Sequence, residues 1–221
     1  LTDTQTLPCD SHLYRSTVRS LQYLAHTRPD ISFTVNKLAQ FMKSPQQGHW
    51  IARKRLLRYL HSTMSHGIQL FRHTTSSLHA FSEADWAGDK DDYVSTSGYI
   101  VYLDRNPISW SVKKQRTLAR SSTEAEFRVI AETSSELIWV HSLLSEPRIS
   151  LTQIPVIYCG NLSVTHYSAN PVFHSRMKHV ALAFHFVRQK VQEGSLRIQH
   201  ISGDDELADA LTNPLPKPRL L

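Results

Sequence analysis

The chain has 221 residues, 40% hydrophobic and 20% charged, with a formal net charge of +6, the composition of an ordered globular protein able to bury one good core or two small ones. Two cysteines, Cys9 and Cys159, without C-x-x-C spacing exclude a disulfide framework and a zinc ribbon and point to a reducing compartment. No apolar run approaches the roughly 18 residues of a membrane span and no basic-then-apolar signal is present, so a soluble intracellular chain, cytoplasmic or nuclear, with no membrane partner is expected.

The first elements are helical. "YRSTVRSLQYLAHT" (14–27) sets Tyr14, Val18, Leu21 and Leu24 on one stripe that ends before Arg28-Pro29. With Asp30 as N-cap, Ile31, Phe33, Val35, Leu38 and Phe41 predict a second helix ending near Ser44-Pro45. "HWIARKRLLRYLHS" predicts a third, with Trp50, Ile51, Leu57 and Leu60 on one face and Arg53, Lys54 and Arg58 on another. That face would touch phosphates, or simply be solvated. The polar run "RHTTSSLH" (72–79) reads as a linker.

Beyond it the pattern becomes that of strands. A short run over 78–84, "STSGYIVYL" (95–103) and "ISWSV" (108–112), with a turn at Asn106-Pro107, predict an antiparallel meander. A long helix follows Thr123, then a buried strand "IPVIYC" (154–159), a short helix after Asn161, and a helix over about 176–193 stopped by Gly194. A strand over 195–201 and a last helix from Asp204 or Asp205 to Thr212 complete an α/β layer sandwich.

Charge divides along the same line. Residues 1–76 hold ten Lys/Arg against three Asp/Glu, and residues 77–221 fifteen against sixteen. A basic helical segment therefore precedes a near-neutral α/β unit that holds most of the acids, as polyanion binding beside carboxylate chemistry would require. The chain opens on Leu1 rather than Met, as an interior piece of a longer polypeptide would.

Three acids stand where strand ends meet helices: Glu83, Glu126 and Asp209, with Gly160 after the buried strand. Thr123-x-x-Glu126 also fits a capping box, in which Glu126 would only satisfy a backbone N–H. Asp89, Asp91 and Asp92 read as a solvated turn lacking EF-hand spacing. His174, His179 and His185, five and six apart, do not stack on one helical face and read as packing residues. No G-x-S-x-G, Walker loop, G-x-G-x-x-G or H-E-x-x-H occurs.

The wording of the chain resembles a family. "HTRPDISFTVNKLAQFM", "HWIARKRLLRYLHST", "ADWAGD", "STSGYIVYL", "NPISWSVKKQ", "ARSSTEAEFRVIAE", "NPVFHSRMKHV" and "LADALTNPLP" are similar, in order, to the C-terminal part of the Pol polyprotein of Ty1/copia-type LTR retrotransposons. The resemblance implies the C-terminal, thumb- or connection-like end of a reverse transcriptase over 1–76 and a ribonuclease H domain over 77–221. Its fold would be a five-stranded mixed sheet flanked by helices, and the rest of the polyprotein would be a partner. The implied reaction is hydrolysis of the RNA strand of an RNA–DNA hybrid by two Mg²⁺ ions, one helping to generate the attacking water and one stabilising the leaving oxygen.

By the family pattern the acids are an Asp in "SDADW", a Glu in "STEAE", an Asp in "YCDN" and an Asp in "LAD". Here those positions hold Glu83, Glu126, Gly160 and Asp209, so two of the four depart. Glu83 is one methylene longer than Asp, and a misplacement of ~1 Å can cost on the order of a hundredfold. Gly160 removes a ligand and a charge. Asn213 also replaces the family's Lys in "LTKPLP". The hybrid-binding set is better kept: Trp110, Lys113, Lys114, Arg116 and Arg120 precede the Ser121-Ser122-Thr123 turn, where the family fold would meet RNA 2′-hydroxyls. The expectation is a ribonuclease H with impaired or absent activity. The alternatives are a non-catalytic hybrid-binding remnant and a product with no nucleic-acid role.

Overall fold

The stripe expected over 14–27 forms α1 (Ser11–Leu24), whose first turn is held by the Asp10 carboxylate accepting from His12 and Leu13 N–H. Tyr14, Val18 and Leu21 pack against Ile31, against Val35 and Leu38 of α2 (Ser32–Gln40) and against Leu56 of α3 (Gln47–Ser62). In this computed structural model the described residues are 10–72, 76–169 and 181–214, and the chain divides into two compact units, within residues 1–68 and 69–219. Cys9, His174, His179 and the expected start of the 176–193 helix lie outside the described residues.

Two expectations for the first unit are corrected. Asp30 does not cap α2; it lies inside a 3-10 turn, Pro29–Ile31, and accepts from the buried Arg28 at 2.7 and 2.9 Å and from the Tyr59 hydroxyl at 2.9 Å. The helix α3 is also turned relative to its expected faces. Ile51 is 55% exposed, whereas Arg53 is 5% exposed. The Arg53 guanidinium lies 3.6 Å over the Trp50 ring and donates to Thr17 Oγ1 at 2.8 Å and the Leu13 carbonyl at 3.3 Å. It is a packing cation, because its planar head can stack on an indole while its donors reach α1. Lys54, Arg55 and Arg58 are the exposed cations of this helix.

The second unit is a five-stranded sheet of order β3-β2-β1-β4-β5. The strands β1 (Leu78–Asp85), β2 (Thr96–Leu103) and β3 (Asn106–Lys114) form the expected antiparallel meander. Its second turn lies at Asp104-Arg105, where Asp104 has φ 55, and Asn106 already belongs to β3. Pro107 is tolerated there because β3 is an edge strand. The run expected as a linker over 72–79 enters β1 at Leu78, after Ser76 and Ser77 N–H donate to the Asp104 carboxylate.

The long helix is α4 (Ser122–Ser145). Its Ala125, Phe127, Ile130 and Leu137 bury against Leu78, Ala80 and Ala84 of β1, which alternate with half-exposed neighbours along the strand. Then β4 (Val156–Cys159) adds parallel to β1, with α5 (Leu162–Ala169) and α6 (Ala181–Gln192) leading to β5 (Arg197–His200), parallel to β4. The expected last helix is broken: a 3-10 turn over Gly203–Asp205 ends at Glu206 in extended backbone, and α7 spans only Asp209–Thr212. This sheet order, with three antiparallel and two parallel strands and flanking helices, is the ribonuclease H-like architecture that the resemblance implies.

Candidate active site

The central strand β1 is the one place in the sheet where an antiparallel neighbour, β2, and a parallel neighbour, β4, meet, and ligand crevices form outside strand ends at such switches. Ser82 pairs with Cys159, so Glu83 and Gly160 follow side by side on adjacent strands. Glu83 is one residue out of step with the core-facing Ser82 and Ala84 and so points to the opposite face. There Thr212 of α7 donates its hydroxyl to Glu83 Oε2. The glycine opposite Glu83, Gly98, allows that approach: a Cβ on it would stand 2.9 Å from Leu211 and Thr212 of α7.

The capping box expected at Thr123-x-x-Glu126 does not form, and the helix is capped two residues earlier. Ser121 is the N-cap, its Oγ accepting from Glu124 N–H at 3.1 Å, while the Glu124 carboxylate accepts from Arg120 N–H at 2.9 Å. Glu126 is thereby released from capping. It lies 6% exposed, with Oε1 accepting from Ala84 N–H at 3.4 Å and Oε2 buried without a hydrogen-bond partner.

Glu83, Glu126, Gly160 and Asp209 line one cleft of about 460 Å³, together with Asn161, Gly203 and Glu206. The three acids and the glycine picked out in sequence thus come together in space. Asp209 accepts from the Asn213 side-chain amide at 2.7 Å. Sequence reasoning passed over Glu206, whose signal was the acid run 204–206 three residues before Asp209. Its Oε1 accepts from Ala208 N–H at 3.0 Å, and its Oε2 is buried with no partner.

Crowding shapes the electrostatics. Burial pushes Glu83 up to about 7, with the Asp209 and Asp85 charges adding to it and the Thr212 hydrogen bond opposing it. Burial and the Glu83 charge push Glu126 up to about 8, against the pull of the Ala84 N–H. Glu206 rises to about 9 through burial and the charges of Glu83, Glu126 and Asp209. An acid cluster of this kind is stabilised by a cation. No group of three or more His, Cys, Asp or Glu among the described residues is already arranged to hold one. Even so, hard carboxylate oxygens, two of them buried without partners, are the donors that Mg²⁺ takes.

The expected hybrid-contacting residues divide. Arg116, Arg120, Lys113 and Ser122 are exposed, and Trp110, Ser121 and Thr123 half-buried, around the loop from β3 to α4. Arg128 pins that loop, donating to the Thr117 carbonyl at 2.6 Å and to Glu124 at 2.7 Å, and Trp86 Nε1 donates to the Ala119 carbonyl at 3.1 Å. Lys114 is not open to a phosphate. It pairs with Asp89 at 2.6 Å and Asp92 at 2.8 Å, and Asp89, expected in a solvated turn, is 7% exposed. The Asp89 pairing follows from its burial: a charge leaving water there needs an opposite one.

No family model matches the chain. It is 62% identical over 204 residues to the retrovirus-related Pol polyprotein from transposon RE1 of Arabidopsis thaliana, covering 92% of this chain and 14% of that protein. It is 36% identical over 205 residues to the corresponding polyprotein from transposon TNT 1-94 of Nicotiana tabacum, covering 92% and 15%. The chain therefore spans about a seventh of the length of these curated relatives. Among solved structures, the foamy viral protease-reverse transcriptase in complex with dsDNA matches with a TM-score of 0.56 at 14% identity, over 92% of this chain and 40% of that one. The same viral protein in complex with an RNA/DNA hybrid gives 0.54 at 13% identity, over 96% and 27%. At such identities the likeness is one of fold.

Proposed function

We propose, from the premise that this chain belongs to the Pol polyproteins of copia-type retrotransposons and carries their ribonuclease H-like domain, that its second unit hydrolyses the RNA strand of RNA–DNA hybrids with impaired turnover. The observation that carries this reading is the meeting of Glu83 of β1, Glu126 of α4 and Asp209 of α7 with Gly160, which follows β4, in one cleft.

Two Mg²⁺ ions are the proposed cofactor, which Glu83, Glu126 and Asp209 would hold, and they would supply Lewis-acid polarisation of the scissile phosphate and a water of lowered pKa. The protein's own residues orient the donors: Thr212 fixes Glu83, Asn213 fixes Asp209 and Ala84 N–H fixes one oxygen of Glu126. Impairment follows from the longer reach of Glu83 and the missing acid at 160. Arg116, Arg120 and Lys113 supply the phosphate-binding edge, with Trp110 and the 121–123 turn beside it, and the exposed Lys54 and Arg58 serve the first unit in the same way.

The test is a hybrid-cleavage assay in Mg²⁺ and in Mn²⁺, comparing the chain with Glu83→Asp plus Gly160→Asp. Cleavage by the repaired chain at least tenfold above the parent supports the reading, and equal rates in both remove the claim of impairment. Salt-dependent hybrid binding without cleavage by either chain would favour the second reading, a non-catalytic hybrid-binding remnant, for which the absent acid at 160 speaks.

A further inference from the structure

We propose that Glu206 takes the place of the carboxylate that Gly160 lacks and serves as the fourth acidic ligand of the divalent-ion site, an inference that rests on the two-metal reading above. Glu206 lines the same cleft as Gly160, Glu83, Glu126 and Asp209, yet comes from a different element, the extended break between the 3-10 turn at 203–205 and α7. It is 7% exposed and leaves Oε2 buried with no hydrogen-bond partner.

A purely structural role accounts for half of this side chain. Its Oε1 accepts from Ala208 N–H and steadies the start of α7. A neutral amide or hydroxyl would do that equally well, and a lone buried carboxyl oxygen costs desolvation that nothing here returns. A cation shared with Glu83 and Glu126 would return it. The cleft has room where the family acid is missing: a Cβ on Gly160 would meet nothing within 4 Å. An acid has left one wall, and an unsatisfied acid lines the same cleft from another.

The experiment is a Mn²⁺ titration of the whole chain, followed by water-proton relaxation and by the shift in melting temperature. Four proteins are compared: the parent, Glu206→Gln, Gly160→Asp and the double variant. Glu206→Gln retains an acceptor for Ala208 N–H, so the melting temperature without metal reports whether the fold survives. The expected result is a weakening of Mn²⁺ binding by tenfold or more in Glu206→Gln, and recovery in the double variant. Gly160→Asp is expected to help the parent less than it helps Glu206→Gln.

Equal Mn²⁺ affinity of the parent and Glu206→Gln overturns the proposal and leaves the two-metal reading standing, as does a weakened Glu206→Gln that Gly160→Asp fails to rescue. If even Gly160→Asp with Glu206 intact binds no Mn²⁺, the two-metal reading falls and this assignment with it.

Discussion

Two clusters, one in each unit, treat buried charge in opposite ways. In the helical unit Arg28, 7% exposed, meets the Asp30 carboxylate with two donors, reaches the Thr63 carbonyl, and shares Asp30 with the Tyr59 hydroxyl. In the α/β unit Glu126 and Glu206 are as deeply buried, but each leaves one oxygen without a partner, and their neighbours are further acids. A closed ion pair does structural work and asks for nothing more. A buried cluster of one sign is held against its own repulsion, which a fold retains where a ligand supplies the opposite charge.

The sharpest way to break this contrast is to remove one member from each side. Arg28→Ala leaves the half-buried Asp30 without its cation and is expected to destabilise the helical unit by about 2–3 kcal/mol in denaturant unfolding, less than for a fully buried pair. Glu126→Gln is expected to act in the opposite direction, stabilising the metal-free chain by on the order of 1–3 kcal/mol at pH 8 while abolishing the rise in melting temperature with Mn²⁺. A loss of metal-free stability in Glu126→Gln would remove the claim that its charge is uncompensated.

The pH dependence follows from the same asymmetry. Glu83 and Glu126 are raised from 4.5 to about 7 and about 8 in the folded chain. The folded state therefore holds more protons than the unfolded one between those values, so stability is highest below about pH 4.5 as far as these groups act and falls as pH rises toward 8. With chelator present, unfolding midpoints between pH 5 and 9 should decline by an amount that Glu126→Gln reduces. Asp30 is shifted the other way: its hydrogen bonds with Arg28 and Tyr59 outweigh its burial and hold its carboxyl below the ordinary range. Its contribution is present at neutral pH and lost only in acid.

Smaller effects sharpen the comparison at its edges. Asn213→Ala removes one hydrogen bond from the Asp209 carboxylate and is expected to weaken Mn²⁺ binding by about tenfold, the lower end for a group that orients a ligand. Removing Arg116 or Arg120 should each reduce the salt slope of hybrid binding by about one. Lys114→Ala, whose ammonium is held by Asp89 and Asp92, should leave that slope nearly unchanged while loosening the turn over 89–92, which hydrogen exchange would detect.

Much of the second unit was legible in the sequence because its signals are local. Alternation along β3 and the long stripe of α4 follow from periods of two and of about 3.6, β4 reads as a continuous apolar run, and the positions of Glu83, Glu126 and Asp209 were matched by family wording. Cap placement was ambiguous for a local reason as well: Ser121, Ser122 and Thr123 all qualify, and only Ser121 stands three residues before a backbone N–H that it can accept from when the helix starts there.

What the sequence determined by itself was the order of elements and which acids lie near strand ends, since both depend on neighbours a few residues apart. Only the tertiary structure decided that Arg53 turns inward onto Trp50, that Lys114 answers Asp89, and that Glu206 joins the cleft where Gly160 has no side chain. The partner of a buried charge is chosen by distance in space and by desolvation. Gly160 and Glu206 stand 46 positions apart, and no periodicity along the chain carries that information over such a distance.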